Sequence, residues 1–189
     1  MAGAVAAGVA LLAWGVRKLM SSSSEETESP GFYKLNFDGC DRHQLNQAGA
    51  GCIIRDSNGS LVVAAAYNLS RQNISVAEAE ALRKGLQLAK QRKIKNLSIE
   101  GDSTEVIDRV LGHIDTKRSE SGIYPIIEGI KKEMQGLCFR IKHIPSAHNT
   151  VAHELANIGA KDQVQKIWDC ASDLPSKVAQ QIEKDRNGY

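Results

Sequence analysis

The hydrophobic period of this chain changes from two to about 3.6 near residue 75, and that change restricts the fold more than any other feature. Before it, residues 32–38 (FYKLNFD) alternate, placing Tyr33, Leu35 and Phe37 on one face and Lys34, Asn36 and Asp38 on the other. Residues 50–55 and 61–67 form two further strand candidates, joined by Asp56-Ser57-Asn58-Gly59. Asn-Gly readily supplies the positive φ of a hairpin turn, so the three segments predict an antiparallel start.

After the change, Ser75-Val76-Ala77-Glu78 fits a capping box, and helix formers continue to about Arg92. Residues 97–100 are a short strand, and 103–111 a helix opening directly after Asp102. A helix over 125–135 stops at Gly136, residues 138–144 form a fifth strand, and 150–158 a last helix before Gly159. The order β-β-β-α-β-α-α-β-α implies an α/β fold: a mixed five-stranded sheet, three strands antiparallel and the rest helix-linked, with helices packed on it.

Residues 32–160 hold this pattern and are assigned to one domain, within the reach of a 189-residue chain. Residues 1–31 precede it. Residues 2–16 are apolar but short of the roughly 20 needed to span a bilayer, and no basic segment comes before them. A weak membrane contact, an organelle-targeting role and a functionless extension all stay open for them. Residues 21–31 are a Ser/Glu-rich linker, and residues 161–189 are set apart as a tail, with one more amphipathic helix around 178–184. The four cysteines have no C-x-x-C pair, which excludes zinc-ribbon spacing and suits reduced thiols inside a cell, whether in nucleus, cytoplasm or organelle. Net charge is +2, and 22 basic against 19 acidic residues remain without residues 1–30. A nucleic-acid partner must therefore be argued from local geometry.

Three acids stand at element boundaries: Asp38, Glu78 and Asp102. Each has a structural alternative. Asp38-Gly39 can start a turn, Glu78 can be the reciprocal partner of Ser75, and Asp102 can be an N-cap with Glu105 at N3. Helix phase argues against the second. Glu78 shares a stripe with Leu82, Gly85 and Ala89, whereas Glu80 lines up with Lys84, Gln87 and Gln91 on a solvated face. A carboxylate on the packing stripe needs compensation, and hard cations such as Mg²⁺ favour oxygen ligands. Clustered carboxylates holding two metals suit phosphoryl transfer. A glycosidase pair lacks an aromatic cleft at 5% aromatic content, and no EF-hand loop is present.

The motifs KLNFDG (34–39), GAGCIIRDSNG (49–59), AEAEAL (77–82), EGDS (100–103), HIP (143–145) and NTVAHELA (149–156) together resemble the type 1 ribonuclease H family. They are most similar to its reverse-transcriptase-like branch, common in plants. The resemblance implies metal binding by Asp38, Glu78 and Asp102. The fourth acidic ligand normally opens the last helix, and here that position is His153. Imidazole is softer and neutral, less suited to Mg²⁺ and more to Mn²⁺ or Zn²⁺. His143 matches the family's mobile-loop histidine, thought to shuttle a proton or help product leave, and an unperturbed pKa near 6.5 suits that.

Asn36, Gly39, Cys40, Asn73 and Ser75 match positions that contact the RNA strand through its 2′-hydroxyls. Asn149 either caps the last helix or contacts substrate. The implied activity is Mg²⁺-dependent endonucleolytic hydrolysis of the RNA strand of RNA–DNA hybrids, with Mn²⁺ as a substitute and no organic cofactor, by a monomer. A second reading keeps the fold without the chemistry, as a non-catalytic module that binds hybrid or structured RNA, or a protein.

Overall fold

The computed structural model describes residues 17–18, 31–70, 72–114 and 122–186. The apolar segment 2–16 and linker residues 21–30 lie outside them. Among the described residues no helix is long and apolar enough to cross a membrane.

The chain runs β1 (Arg17–Lys18), β2 (Tyr33–Arg42), β3 (Gln47–Arg55), β4 (Leu61–Asn68) and α1 (Ile74–Gln91). There follow β5 (Asn96–Gly101), α2 (Thr104–Leu111), α3 (Tyr124–Glu133) and β6 (Cys138–His143). It closes with α4 (Thr150–Asp162), β7 (Gln165–Trp168) and α5 (Ser176–Arg186). One sheet has the order β1-β6-β5-β2-β3-β4-β7. β2, β3, β4 and β7 are antiparallel neighbours, while β5 and β6 continue from β2 in parallel. The five expected strands form its centre, and the short β1 and β7 extend its edges.

Alternation in β2 does what the pattern requires. Leu35 and Phe37 are wholly buried, in one core with Leu82, Leu86, Ile127 and Ile130 from α1 and α3. The opposite face of the sheet forms a second core. There Ile53, Ala64 and Ala66 meet Val151 and Leu155 of α4.

The segment set apart as a tail joins that second core. Trp168, Leu174, Val178 and Ile182 are all buried in it. Burial of aliphatic side chains such as Val178 and Ile182 stabilises by about 1.5–3 kcal/mol each relative to exposure, which holds α5 on the sheet.

Two helix boundaries differ from expectation. α4 does not stop at Gly159 but runs through it to Asp162, and a Cβ at that position would lie 2.4 Å from the Tyr67 carbonyl oxygen. That glycine is a point of close approach rather than a cap. α1 begins earlier than the capping box implies: its N-cap is Asn73, whose side chain accepts from the Val76 N–H at 2.9 Å.

Candidate active site

β2 and β5 lie side by side and parallel, and their register ends at Asn36 opposite Glu100. Two residues further on come Asp38 and Asp102. Period two keeps them on the same face as Asn36 and Glu100. Asp38 is thus within its strand rather than at the end, and β2 continues to Arg42 against β3 alone. Ser103, not Asp102, caps α2, accepting from the Val106 N–H, and this leaves the Asp102 carboxylate available to the site.

Glu78 arrives from the first turns of α1. Gly39 makes room for it, since a Cβ at that position would lie 2.4 Å from the Glu78 nitrogen and 2.6 Å from the Ala77 carbonyl carbon. The Asp-Gly pair is therefore a contact between strand and helix, not a turn. The result is a group of three carboxylates, Asp38, Glu78 and Asp102, with one oxygen of each within 4.8 Å of the others.

Asp38 and Glu78 are buried, at 3% and 7% exposure. Burial, the Asp38 charge, a hydrogen bond with Asp38 and the Asp102 charge push the Glu78 carboxyl up to about 10. Asp38 is also raised, chiefly by burial, although its bond to His153 opposes the rise. The buried Glu78 Oε2 has no hydrogen-bond partner among the described residues. An all-oxygen donor set with an unsatisfied buried oxygen fits a hard divalent cation.

His153 stands beside this group rather than within it. Its Nδ1 is 2.8 Å from Asp38 Oδ2, and its side chain is 62% exposed. The bond to Asp38 raises the imidazole pKa against the effect of its own burial. His143 is exposed at the end of β6, with Nε2 3.2 Å from the Asp102 carbonyl oxygen.

The residues expected to touch substrate have other partners. Asn36 and Asn149 are buried, each 2% exposed. The Asn149 side chain neither caps α4 nor faces solvent. It donates to the Phe37 carbonyl at 2.8 Å and to Asp102 Oδ1 at 2.9 Å. Cys40 donates to Asn157 Oδ1 at 3.3 Å. Gly39 is buried under α1, and Asn73 caps that helix. Ser75 does not pair with Glu78, because it lies inside the helix and donates to Glu105 Oε2 at 2.6 Å. Ser103 already serves the N-cap of α2, so Glu105 binds Ser75 and Arg109 instead of closing a box with Asp102.

Sequence reasoning missed Arg55, Glu100 and Asp185. Arg55 NH2 donates to Asn36 Oδ1 at 2.8 Å, and its NH1 donates to Asp185 Oδ2 at 3.1 Å. Asn36 Nδ2 lies 3.3 Å from Glu100 Oε2 and 3.5 Å from Asn149 Oδ1. Two signals were present: Arg55 is in phase with the buried Ile53, and Glu100 is in phase with Asp102.

These proton affinities give a stability prediction. Between pH of about 4.5 and 10, metal-free folded protein keeps a proton on Glu78 that the unfolded chain releases. His153, raised likewise, gives stability at low pH that is lost as pH rises through its folded value. The melting temperature in EDTA is therefore expected to fall from pH 5 to pH 9, and the gain on adding Mg²⁺ to grow over that range, because metal must displace the Glu78 proton. A flat profile in thermal melts would show that the carboxylates are not crowded.

A mixed sheet with α1, α2 and α3 on one face, α4 and α5 on the other, and three acids converging at the end of the β2–β5 parallel pair defines a ribonuclease H-like domain. The family model described as reverse transcriptase-like matches residues 36–159, and the chain belongs to that family. A curated Arabidopsis thaliana protein named "Putative ribonuclease H protein" is 27% identical over 127 residues, covering 67% of this chain and 20% of the relative. The chain thus spans about a fifth of that relative's length. RNase H1 of the halophilic archaeon Halobacterium salinarum superposes with a TM-score of 0.64 at 26% identity, covering 71% of this chain and 100% of the archaeal one. LC11-RNase H1 in complex with RNA/DNA hybrid gives 0.58 at 27% identity, covering 69% and 97%. The latter protein was isolated from compost by a metagenomic approach.

Proposed function

We propose that this chain catalyses divalent-metal-dependent, endonucleolytic hydrolysis of the RNA strand of RNA–DNA hybrids. The observation that carries the reading is the convergence of Asp38, Glu78 and Asp102 within 4.8 Å, with a buried, unsatisfied Glu78 oxygen among them. Like charges this close in a partly desolvated site repel strongly, and a bound cation turns the repulsion into attraction.

Asp38, Glu78 and Asp102 would hold the metal, Mg²⁺ by preference and Mn²⁺ as a substitute, at one or two positions. When bound, divalent metal supplies charge neutralisation at the reacting phosphate and a more acidic water. Asn149 fixes the rotamer of Asp102 by donating to it. His153 orients Asp38 through Nδ1 and leaves Nε2 for a proton or a phosphate oxygen. His143, exposed beside the Asp102 backbone, is placed to exchange protons with solvent. RNA-strand preference by shape and steep salt dependence accompany this reading. The crystallised complex of LC11-RNase H1 with RNA/DNA hybrid supports the choice of substrate.

The test is cleavage of labelled hybrid, single-stranded RNA and duplex DNA, each with Mg²⁺ and with Mn²⁺. Internal cuts in the RNA of the hybrid alone are expected, abolished by EDTA, with Mn²⁺ able to replace Mg²⁺. The His153–Asp38 bond favours a second reading, in which an imidazolium takes over part of the cation's role and the domain binds hybrid without turnover. Tight binding of hybrid with no cleavage in either metal would select it.

A further inference from the structure

The carboxylate cluster is braced along the α4–α5 face of the sheet by a continuous run of buried polar groups, and its outer end is on α5. Asp185 Oδ2 accepts from Arg55 NH1 at 3.1 Å, and its other oxygen lies 3.4 Å from Gln181 Nε2 on the same helix. Arg55 NH2 donates to Asn36 Oδ1 at 2.8 Å. Asn36 Nδ2 is directed at Glu100 Oε2 and Asn149 Oδ1, and Asn149 Nδ2 donates to Phe37 O and Asp102 Oδ1. Arg55 is 9% exposed, Asn36 2% and Asn149 2%.

The direction of every bond in this run is determined by its ends. A guanidinium only donates, so Asn36 must offer it the amide oxygen and turn its NH₂ toward Glu100 and Asn149. Carbonyl and carboxylate oxygens only accept, so Asn149 must turn its NH₂ toward Phe37 and Asp102. Neither amide can flip without breaking two bonds. A buried guanidinium in turn needs a counter-charge, and Lys34 and Lys142 already occupy Glu100, at 3.9 and 3.2 Å. Asp185 is the carboxylate left to hold Arg55.

We infer that Asp185 and Arg55 are positioning residues that hold the Asp102 carboxylate in its working orientation through Asn36 and Asn149, so that α5 is part of the catalytic apparatus. The inference rests on the nuclease reading above. Asp185 lies beyond residues 36–159 matched by the family model, so the outer end of the brace comes from a segment outside the matched region. Partners that orient metal ligands typically change function on the order of 10–100-fold when removed.

The test compares the full chain with Asp185→Ala, Asp185→Asn and Arg55→Lys, using labelled RNA–DNA hybrid with Mg²⁺ or Mn²⁺, with kcat and KM determined separately and the folded fraction measured by thermal melting. Asp185→Ala is expected to lower kcat per folded molecule at least about tenfold with KM within about twofold, since no substrate contact is lost. Asp185→Asn keeps an acceptor for Arg55 and is expected to rescue most of kcat. Arg55→Lys, with a single nitrogen of shorter reach, is expected to resemble Asp185→Ala. A kcat for Asp185→Ala equal to the parent's overturns the inference and leaves the nuclease reading intact. Should Asp185→Ala not fold, equal kcat for the parent, Asp185→Asn and Arg55→Lys overturns it instead. A parent that cuts hybrid in neither metal overturns the nuclease reading, and this inference with it.

Discussion

Asp38→Asn is expected to reduce hybrid cleavage in Mg²⁺ to the level seen in EDTA while leaving the protein folded. Asp38 is central to the cluster, 3% exposed, close to Glu78 and Asp102, and hydrogen-bonded to His153. Asparagine keeps its size and an accepting oxygen for His153 but removes one negative charge. Two anionic donors then remain where three stood, and affinity for a hard cation falls steeply with ligand charge. The same loss relieves Glu78, because the Asp38 charge is the second-largest cause of its raised pKa. In EDTA the variant should melt at or above the parent's temperature. Cleavage at the parental rate by purified Asp38→Asn would remove Asp38 from the reaction. A lowered melting temperature would instead show that it serves the fold.

The second large effect falls on stability. Gly51→Ala is expected to destabilise the domain by roughly 3 kcal/mol and lower its melting temperature by roughly 10 °C. A Cβ at Gly51 would lie 2.3 Å from both the Ala152 carbonyl oxygen and the Ala156 nitrogen. One helical turn along, Gly49 faces Ala156 O at 2.3 Å and Ala160 N at 2.4 Å. α4 thus rests with its backbone directly on β3, on a strip of glycines answered by alanines. No flexible side chain is available to yield, so the helix itself must retreat, and His153 moves with it. Thermal melts check the first part, and a weaker His153–Asp38 coupling in imidazole NMR titration checks the second. An unchanged melting temperature would mean that α4 does not approach the strand this closely.

The carboxylate trio was legible because each acid carries a local sign. Asp38 follows a period-two strand, Glu78 sits in phase with Leu82, Gly85 and Ala89 on a packing stripe, and Asp102 precedes a helix start. The succession of strands along the chain and the hairpin were legible for the same reason, since alternation and Asn-Gly act over a few residues. Asn36, Asn149 and Arg55 were not. By local rules Asn149 fits either a cap or a substrate contact, yet its side chain bonds to Phe37 and Asp102, 112 and 47 residues away in sequence. The N-cap of α1 lies two residues before the capping box because Asn73 and Ser75 both fit the local rule, and Ser75 is taken by Glu105.

Sequence alone determined the five central strands and the helices, their succession, the apolar faces and the three acids, all of which depend on backbone periodicity and nearest-neighbour chemistry. Tertiary structure decided which polar groups are buried together, that β7 and α5 complete the second core, and that His153 Nδ1 pairs with Asp38. Those outcomes depend on which surfaces meet. Desolvation acts only once they have met, making an unpaired carboxylate or guanidinium costly and so selecting its partners from anywhere along the chain.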